Sequence, residues 1–565
     1  MEYSKRKPEP DGKLFRDIPA LSAWWAYPRE VADSLLVPTI WKAGVVRGYR
    51  SKADAEIMKM AEIMEMTGIP KNDGTFRFPT IKSAGKKTEI VGPPQSRVGP
   101  LGKAASKELF QWEGTTMFHG VLASLLLASF VAAGATGGET PPRPNILFIL
   151  ADDYGLDGVG CYGSDRFQTP NLDRLAREGI RFENCYCTPL CGPTRCLLIT
   201  GRYAFRTGGL TNQTAGLPSP KEEPSIAQIL KQAGYVTGMC GKWRQMGGTP
   251  GDWGFEEYLT DPTAGGYFWE KSYIKNGEII ELAEVAYYPD IAHEFALDFI
   301  RRHKDRPFFF YYSSHLVHGP ILPTPDSPVG PEGRPPQGIK GGPGPNQPYY
   351  ADNVAYLDKQ VGSLVAELER LGLREKTLIV FSSDNGTAVE SGTIGGRRIH
   401  GQKGTMWEGG AHVPLIVSWK GTTPEGKVLK DLVDFSDFLP TFAELAGAKL
   451  PEGIIFDGHS FAPQLRGEQG NPREWIFVQL GNRWYVRDMG WKLNESGELY
   501  DMSDAPFEEK LVPVEGQSPE AAAARARLQA VLSSLNPAGG KQVPPGVPAR
   551  PRARQRQARP ATSSS

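Results

Sequence analysis

The segment Cys191 to Arg202, CGPTRCLLITGR, combines residue types that can act on an anion. Cys191 supplies a thiol, and Arg195 supplies a permanent positive charge in the same segment. Pro193 is typical of a first helical turn, so we predict a helix beginning near this proline with Cys191 just before it. Backbone N–H groups at such a helix start favour an anion. The alternative is a half-buried cysteine without a chemical role.

Two further places in the chain offer oxygen ligands. Asp152 and Asp153 follow one apolar run, and Asp384 and Asn385 follow another. Hard oxygen donors suit Ca²⁺ or Mg²⁺ far better than Zn²⁺. A single aspartate is more often a solvated carboxylate or a helix cap than a ligand. Two such pairs at adjacent strand ends would instead form a cation site.

Strands and helices alternate after Pro144 and determine where these residues lie. Four apolar runs predict strands, and each leads into polar residues: Asn145 to Ala151 into Asp152 and Asp153, Tyr235 to Met239 into Lys242, Pro307 to Tyr312 into His315 and His318, and Thr377 to Phe381 into Asp384 and Asn385. Predicted helices cover Pro170 to Glu178, Ser225 to Ala233 and Asp352 to Leu371. Ligands of open α/β sheets lie outside the carboxyl ends of the strands, so we expect all four clusters at one sheet edge.

The Cys191 segment resembles the signature of type I sulfatases, the formylglycine-dependent, arylsulfatase-like enzymes. Further segments of that pattern occur in the family's order over residues 143 to 510: RPNILFILADDYG, GKW, HGP, SSDNG, KGTMWEGG and ELYD. One short motif is weak evidence, but this ordered series is specific. The resemblance implies an α/β, alkaline-phosphatase-like fold. Such a fold has a mostly parallel sheet flanked by helices and a smaller C-terminal α+β subdomain.

The resemblance also implies two cofactors. A maturation enzyme would convert Cys191 to formylglycine, whose hydrate has two hydroxyls, one to attack sulfur and one to expel sulfate by reforming the aldehyde. A calcium ion, with Mg²⁺ as the alternative, would be held by the residues that match the family's ligands: Asp152, Asp153, Cys191, Asp384 and Asn385.

Four more residues match catalytic positions of the family. Arg195 matches the arginine that orients the aldehyde hydrate, and Lys242 and Lys403 match the two lysines that bind sulfate. His318, in HGP, matches the histidine that protonates the leaving oxygen. His315 is the nearby competitor for that role, and we favour His318.

Two positions depart from the family pattern. Arg244 follows GKW where the family usually has histidine. Arginine stays protonated and cannot act as an ordinary base, although it can donate hydrogen bonds to an oxyanion. We therefore predict that Arg244 grips a sulfate oxygen or a second anionic group of the substrate. His412 stands where the family often has arginine, and we expect it to affect ion pairing in the scaffold more than chemistry.

Composition excludes some classes of function. The 64 basic residues balance the 64 acidic ones, so overall charge does not indicate a nucleic acid partner. The six cysteines include no Cys-x-x-Cys pair, which disfavours a metal knuckle and leaves a disulfide open. Residues from Ala521 to Ser565 include no acid, and we predict disorder there. Binding of an anionic surface by this tail is the less favoured alternative.

Targeting depends on the apolar run from Met117 to Ala135. It resembles a signal peptide that ends in small residues, which favours a mis-called start before it and an exported, periplasmic or secreted, protein. No stable membrane span is then expected in the mature chain. The alternative is a membrane anchor through residues 117–135.

We therefore predict five regions: an extension of unknown role over 1–116, the signal segment 117–135, a catalytic domain over 143–460, a smaller subdomain over 461–535, and a basic tail over 536–565. Short strands are expected near Trp475, Arg483, Trp491 and Glu498. A Pro- and Gly-rich loop from Pro323 to Gln347 is expected to select substrate together with Arg397, Arg398 and His400.

The predicted function is hydrolysis of organic sulfate monoesters, sulfated carbohydrates included. A phosphonate or phosphate monoester hydrolase on the same scaffold is the enzymatic alternative. A non-catalytic binder of sulfated glycans, suggested by Arg244, is the alternative of another class.

Overall fold

The computed structural model describes residues 143–243, 246–261, 268–328, 349–388 and 392–544. The chain divides into two compact units, Met1–Leu125 and Leu126–Ser565, and all described residues belong to the second. The predicted segments 1–116 and 117–135 and residues 545–565 of the tail lie outside the described residues. None of the described helices is long and apolar enough to cross a membrane.

The described residues form fifteen strands. Their bounds are β1 Asn145–Ala151, β2 Ile180–Tyr186, β3 Val236–Gly241, β4 Glu257–Thr260, β5 Trp269–Lys275, β6 Glu278–Tyr287, β7 Phe308–Ser313, β8 Thr377–Ser383, β9 His412–Ser418, β10 Lys427–Asp434, β11 Ile476–Leu480, β12 Arg483–Arg487, β13 Trp491–Asn494, β14 Leu499–Asp501 and β15 Lys510–Val512.

The α-helices lie between and after these strands. Their bounds are α1 Pro170–Arg177, α2 Cys191–Thr200, α3 Ala204–Thr207, α4 Ile226–Gln232, α5 Tyr288–Arg302, α6 Tyr350–Arg370, α7 Glu408–Ala411, α8 Phe438–Ala446, α9 Ala462–Leu465 and α10 Pro519–Leu535.

The large sheet has ten strands in the order β10-β2-β9-β8-β1-β7-β3-β4-β5-β6. Its centre is parallel, because β1 pairs in parallel with both β7 and β8, and β3 with both β7 and β4. Strand β9 and the β5–β6 hairpin are antiparallel to their neighbours. The predicted fold class, a mostly parallel sheet flanked by helices, is confirmed.

Strand β1 shows why its sequence is apolar throughout. Ile146, Phe148 and Leu150 belong to one core, with residues of α2, α4 and α8, while Leu147 and Ile149 belong to a second core, with residues of α1, α5 and α6. Both faces of the strand are therefore covered by helices, so the alternation typical of a half-exposed strand is absent.

The small sheet is antiparallel, in the order β11-β12-β13-β14-β15. Its first four strands lie where the sequence predicts them, and the short fifth strand was not predicted. Because Leu126–Ser565 is one compact unit, the subdomain boundary at residue 460 stays a prediction.

The prediction of disorder from Ala521 onward is wrong for the described residues. Ser518 caps α10 by accepting a hydrogen bond from the Ala521 backbone N–H. Ala521, Leu528 and Leu532 are buried in the same core as Val486 and Leu493 of the small sheet. These apolar residues offset the ordering entropy that the acid-free composition alone suggested was uncompensated.

Candidate active site

The polar residues that follow β1, β3, β7 and β8 lie at one edge of the large sheet, where backbone hydrogen bonds continue past the strand ends. The Asp152 N–H donates to Leu316 O (2.9 Å), the Lys242 N–H to Ser313 O (2.8 Å) and the Asp384 N–H to Ala151 O (3.1 Å). The prediction that the clusters meet at one sheet edge is therefore correct.

Gly241 allows Lys242 to reach this edge. Its φ is 97°, and a Cβ at this position would lie 1.8 Å from the carbonyl oxygen of Ser313. Only glycine combines this conformation with such a close approach of two backbones. The GK pair thus has a steric basis as well as a chemical one.

Cys191 is the first residue of α2, so the helix begins two residues earlier than the predicted start at Pro193. The thiol is buried, with Sγ 3.1 Å from Lys403 Nζ, 3.7 Å from Asp152 Oδ1 and 3.9 Å from Asp153 Oδ1. Burial raises the pKa of the Cys191 thiol to about 12. The unmodified side chain is therefore protonated at neutral pH and is a poor nucleophile.

Each of two lysines pairs with a carboxylate beside Cys191. Lys242 Nζ lies 2.5 Å from Asp152 Oδ2, and Lys403 Nζ pairs with Asp153 Oδ1. Burial opposes their positive charge, but Asp152 raises the pKa of Lys242, and Asp153 raises the pKa of Lys403. Both ammonium groups are therefore charged at neutral pH.

Arg195 is fully buried beneath these groups. Its Nη2 lies 2.7 Å from Asp384 Oδ2, and its Nη1 donates to the Tyr311 hydroxyl (3.1 Å) and to Ser313 Oγ. Asp384 and the two hydroxyls fix the guanidinium in one orientation. Arg195 is 1% exposed, so its ion pair with Asp384 is a buried one and not a surface salt bridge.

The two candidate histidines have different surroundings. His318 Nε2 lies 3.6 Å from Asp153 Oδ2, and the side chain is 20% exposed. Burial lowers its pKa, although Asp153 and Asp152 oppose that shift. His315 Nε2 instead lies 3.1 Å from Asp261 Oδ1, with both side chains 1% exposed. His318 is thus the histidine beside the carboxylate cluster, whereas His315 pairs with Asp261.

The carboxylate oxygens of Asp152 and Asp153 and the amide oxygen of Asn385 fit a hard cation. One donor atom each of Asp152, Asp153, Cys191 and His318 lies within 4.8 Å of the others. The adjoining Asn385 Oδ1 is buried without a hydrogen-bond partner, while Asn385 Nδ2 donates to Asp153 Oδ1 (2.8 Å). A bound cation would satisfy this oxygen. Asp384, the remaining predicted ligand, accepts from the Asp153 N–H (3.1 Å) and from Arg195.

The charges of the site are balanced in the described structure. Three buried carboxylates, Asp152, Asp153 and Asp384, lie among three buried or nearly buried cations, Lys242, Lys403 and Arg195. A divalent cation would therefore leave the pocket positive, which favours an anionic substrate.

The sequence also predicts roles for Arg244, for the Pro- and Gly-rich loop, for Arg397 and for His412. Arg244 and most of the loop from Pro323 to Gln347 lie outside the described residues. Arg397 forms a bidentate pair with Asp504, at 2.8 and 2.6 Å, so its guanidinium already has an anionic partner. His412 Nδ1 lies 3.0 Å from Glu408 Oε2, which agrees with the scaffold role predicted for it.

The sequence left two further roles open for the cysteines, a metal knuckle and a disulfide. All six cysteines of the chain lie within the described residues, and each is free. Among those residues, Cys191 is the cysteine that belongs to a group able to hold a metal.

The sequence did not predict the residues that hold the candidate catalytic side chains in place. Tyr311 and Ser313 orient Arg195, Asp261 pairs with His315, and Asn212 Oδ1 accepts the Gly192 N–H (2.8 Å). Tyr311 lies in a run of aromatic residues and reads as core. The position of Ser313 at the end of β7 was the one available signal.

The family model "Sulfatase" matches residues 144–448. Human arylsulfatase A is 33% identical over 389 residues, which cover 62% of this chain and 73% of that enzyme. Canis lupus familiaris N-acetylgalactosamine-6-sulfatase is 33% identical over 395 residues, which cover 63% of this chain and 72% of that enzyme.

Solved structures show the same relationship. The crystal structure of Ps i-CgsB is 27% identical with a TM-score of 0.59, covering 71% of this chain and 95% of that one. The same protein in complex with k-i-k-neocarrahexaose has a TM-score of 0.57 at 27% identity, covering 70% of this chain and 92% of that one.

Proposed function

The chain belongs to the sulfatase family and is a sulfuric ester hydrolase, and we propose that it removes sulfate from sulfated carbohydrates through a formylglycine formed at Cys191 beside a bound calcium ion. The carbohydrate class is supported by two relatives. One is named N-acetylgalactosamine-6-sulfatase, and the other was solved in complex with k-i-k-neocarrahexaose.

One observation carries the proposal: the buried Cys191 side chain lies among ionised groups, with the Lys403 ammonium and the Asp152 and Asp153 carboxylates within 3.9 Å of its Sγ. Its Sγ lies 3.1 Å from Lys403 Nζ, while burial holds the thiol pKa at about 12. A side chain in this position contributes little chemistry as a thiol. Conversion to an aldehyde, which hydrates to a diol, supplies the nucleophile that the surroundings are arranged to serve.

The two lysines would bind the sulfate group. The ammonium groups of Lys242 and Lys403 pair with the two carboxylates that adjoin Cys191 and are charged at neutral pH. Their positive charge would stabilise the negative charge that develops on the sulfate oxygens and the leaving oxygen. Arg195, fixed by Asp384, would hold the converted side chain in one orientation.

A calcium ion would be held by Asp152, Asp153, Asp384, Asn385 and the converted Cys191, with magnesium as the alternative. When bound, it supplies Lewis-acid stabilisation of negative charge on oxygen. Asn385 Oδ1, buried without a partner, supports this assignment, and so do the Asp152 and Asp153 carboxylates. His318 adjoins this group and would protonate the leaving oxygen from the exposed side of the pocket.

Maturation and location belong to the same proposal. A formylglycine-generating enzyme would act on the Cys191 segment before folding buries it. The secretory features of residues 117–135 support an exported protein, with membrane anchoring through the same residues as the alternative.

A substrate panel tests the reaction class. We expect the matured enzyme to hydrolyse an aryl sulfate and sulfated mono- and oligosaccharides far faster than the matching phosphate and phosphonate esters. Faster hydrolysis of the phosphorus esters would instead support the alternative hydrolase. Binding of sulfated glycans without turnover, in protein proven to carry the aldehyde, would support the non-catalytic binder.

A further inference from the structure

Residues 400–411, called here the Lys403 loop, are joined to the small sheet by buried polar contacts that the reaction does not use. Lys492 on β13 pairs with Glu509, and its Nζ donates to the Met406 carbonyl oxygen (3.2 Å). Glu509 Oε1 in turn accepts the Glu408 backbone N–H (2.8 Å). Lys492 and Glu509 are thus connected to the loop at two points of its backbone.

A second buried ion pair holds the same loop through a side chain. Arg487 on β12 lies 2.8 Å from Glu408 Oε1, and the Tyr186 hydroxyl donates to Glu408 Oε2 (2.8 Å). Glu408 is fully buried, and Arg487 and Lys492 are each 2% exposed. Removing either partner would leave an uncompensated buried charge.

The register of the small sheet makes these charges difficult to explain as parts of the sheet alone. Arg487 and Lys492 are directly opposite each other on β12 and β13. Like charges in that arrangement destabilise a sheet. The carboxylates facing them, Glu408 and Glu509, belong to the Lys403 loop and to the segment before β15. The sheet therefore presents two basic side chains whose carboxylate partners both lie outside it. Burial lowers the pKa of Lys492 to about 7, Glu408 opposes that shift, and the direct contact with Glu509 favours the ammonium form.

The other side of the loop lies at the catalytic centre. The Lys403 N–H donates to Thr387 O (3.1 Å), and the Gly404 N–H donates to Pro189 O (2.7 Å), so the backbone beside Lys403 is fixed by segments next to Asn385 and Cys191. Met406 and Ala411 pack with Tyr485 in one apolar cluster. The loop thus connects the small sheet to the ammonium group that contacts Cys191.

We propose that Arg487, Lys492, Glu408 and Glu509 are positioning residues, through which the small C-terminal sheet fixes the Lys403 ammonium group at Cys191. This inference rests on the proposed function, because it takes Lys403 to bind the sulfate group. A small displacement of a catalytic group by distant changes can lower the rate by two orders of magnitude.

A double-mutant cycle tests the positioning role. Lys492→Met is made in the wild-type enzyme and in Lys403→Ala, and kcat/KM on an aryl sulfate and the affinity for inorganic sulfate are measured. We expect Lys492→Met to lower kcat/KM about tenfold or more in the wild type and less than about twofold in Lys403→Ala, because its effect passes through Lys403.

The matched control is Arg473→Met. Arg473 forms an equally buried pair with Asp437 at 2.6 Å, and its contacts are with Ser436, Asp437, Asp457, Tyr203 and Trp475, outside the Lys403 loop. We expect it to lower the melting temperature about as much as Lys492→Met while changing kcat/KM by less than about twofold. If Lys492→Met does not fold, Glu509→Gln replaces it, since glutamine retains an acceptor for the Glu408 N–H and removes only the charge.

The outcomes separate the two proposals. Equal losses from Lys492→Met in both backgrounds, with Lys403→Ala itself impaired, would overturn the positioning role and leave the proposed function intact. An unimpaired Lys403→Ala enzyme would overturn the assigned role of Lys403 and the positioning role with it.

Discussion

At the scale of the residue, the site combines groups that burial alone would neutralise. Asp152 and Asp153 are buried, and burial raises the pKa of both carboxyls. Lys242 beside Asp152 and Lys403 beside Asp153 nevertheless hold the pKa of each carboxyl below the usual range, and His318 lowers both further. The carboxylates thus stay charged and available to a cation at neutral pH.

His318 gives a prediction at this scale. A proton donor matters most when the leaving oxygen is a poor leaving group. We therefore expect His318→Ala to lower kcat on a sulfated sugar by about a hundredfold or more, and on a nitrophenyl sulfate by about tenfold or less. His315→Ala, in which the histidine paired with Asp261 is lost, serves as the comparison. Equal losses from His318→Ala on both substrates would contradict the proton-donor role.

At the scale of the element, motif residues were predictable where they follow a regular strand. Asp152, Lys242, His318 and Asp384 each come soon after an apolar run, and the rule for parallel sheets placed them at one edge. Lys492 and Glu509 were not predictable, because their pairing depends on how the small sheet meets the Lys403 loop. Helix α10 was missed because its few apolar positions lie within an alanine- and arginine-rich composition typical of a tail.

The contact between α5 and α6 gives a prediction about pH. His293 on α5 is 8% exposed, and its Nε2 lies 2.9 Å from Ser363 Oγ on α6. Burial lowers the pKa of His293 from 6.5 to about 4. Between pH 4 and 6.5 the unfolded chain therefore binds more protons at His293 than the folded protein does. The contribution of neutral His293 to the free energy of unfolding is thus complete above pH 6.5 and is lost as pH falls to about 4.

At pH 4 we expect His293 to lower the free energy of unfolding by up to about 3 kcal/mol, because each unit of pKa shift corresponds to about 1.4 kcal/mol. Denaturant unfolding of wild-type enzyme and His293→Gln from pH 4 to 7, both in chelator so that metal loss does not contribute, measures it. The wild type should lose stability more steeply than His293→Gln. Parallel pH curves would show that His293 does not titrate in this way.

At the scale of the whole molecule, the predicted ligands at the ends of β1 and β8 and at the start of α2 come together, so a metal bound by them should stabilise the entire unit. Binding to the native state alone contributes about 2.7 kcal/mol at a hundredfold excess over Kd. We expect chelation to abolish turnover and lower the melting temperature by several degrees, and calcium or magnesium to restore both.

Asp153→Asn should lose this response to chelator, since it removes a buried ligand charge. The control is Asp326→Asn, at an exposed aspartate paired with Lys359, and it should respond as the wild type does. Restoration by zinc alone, or an unchanged melting temperature in chelator, would contradict a site of hard oxygen ligands.

The proposed activity depends on conversion of Cys191 to an aldehyde, and the tryptic peptide of residues 182–195 reports that conversion directly. Protein made with and without a formylglycine-generating enzyme is digested, and the fraction of peptide in which CHO replaces CH₂SH is compared with kcat on an aryl sulfate. We predict that kcat rises in proportion to the aldehyde fraction and that Cys191→Ser, expressed alike, has no turnover. Full activity in protein whose Cys191 is entirely unmodified would contradict the account.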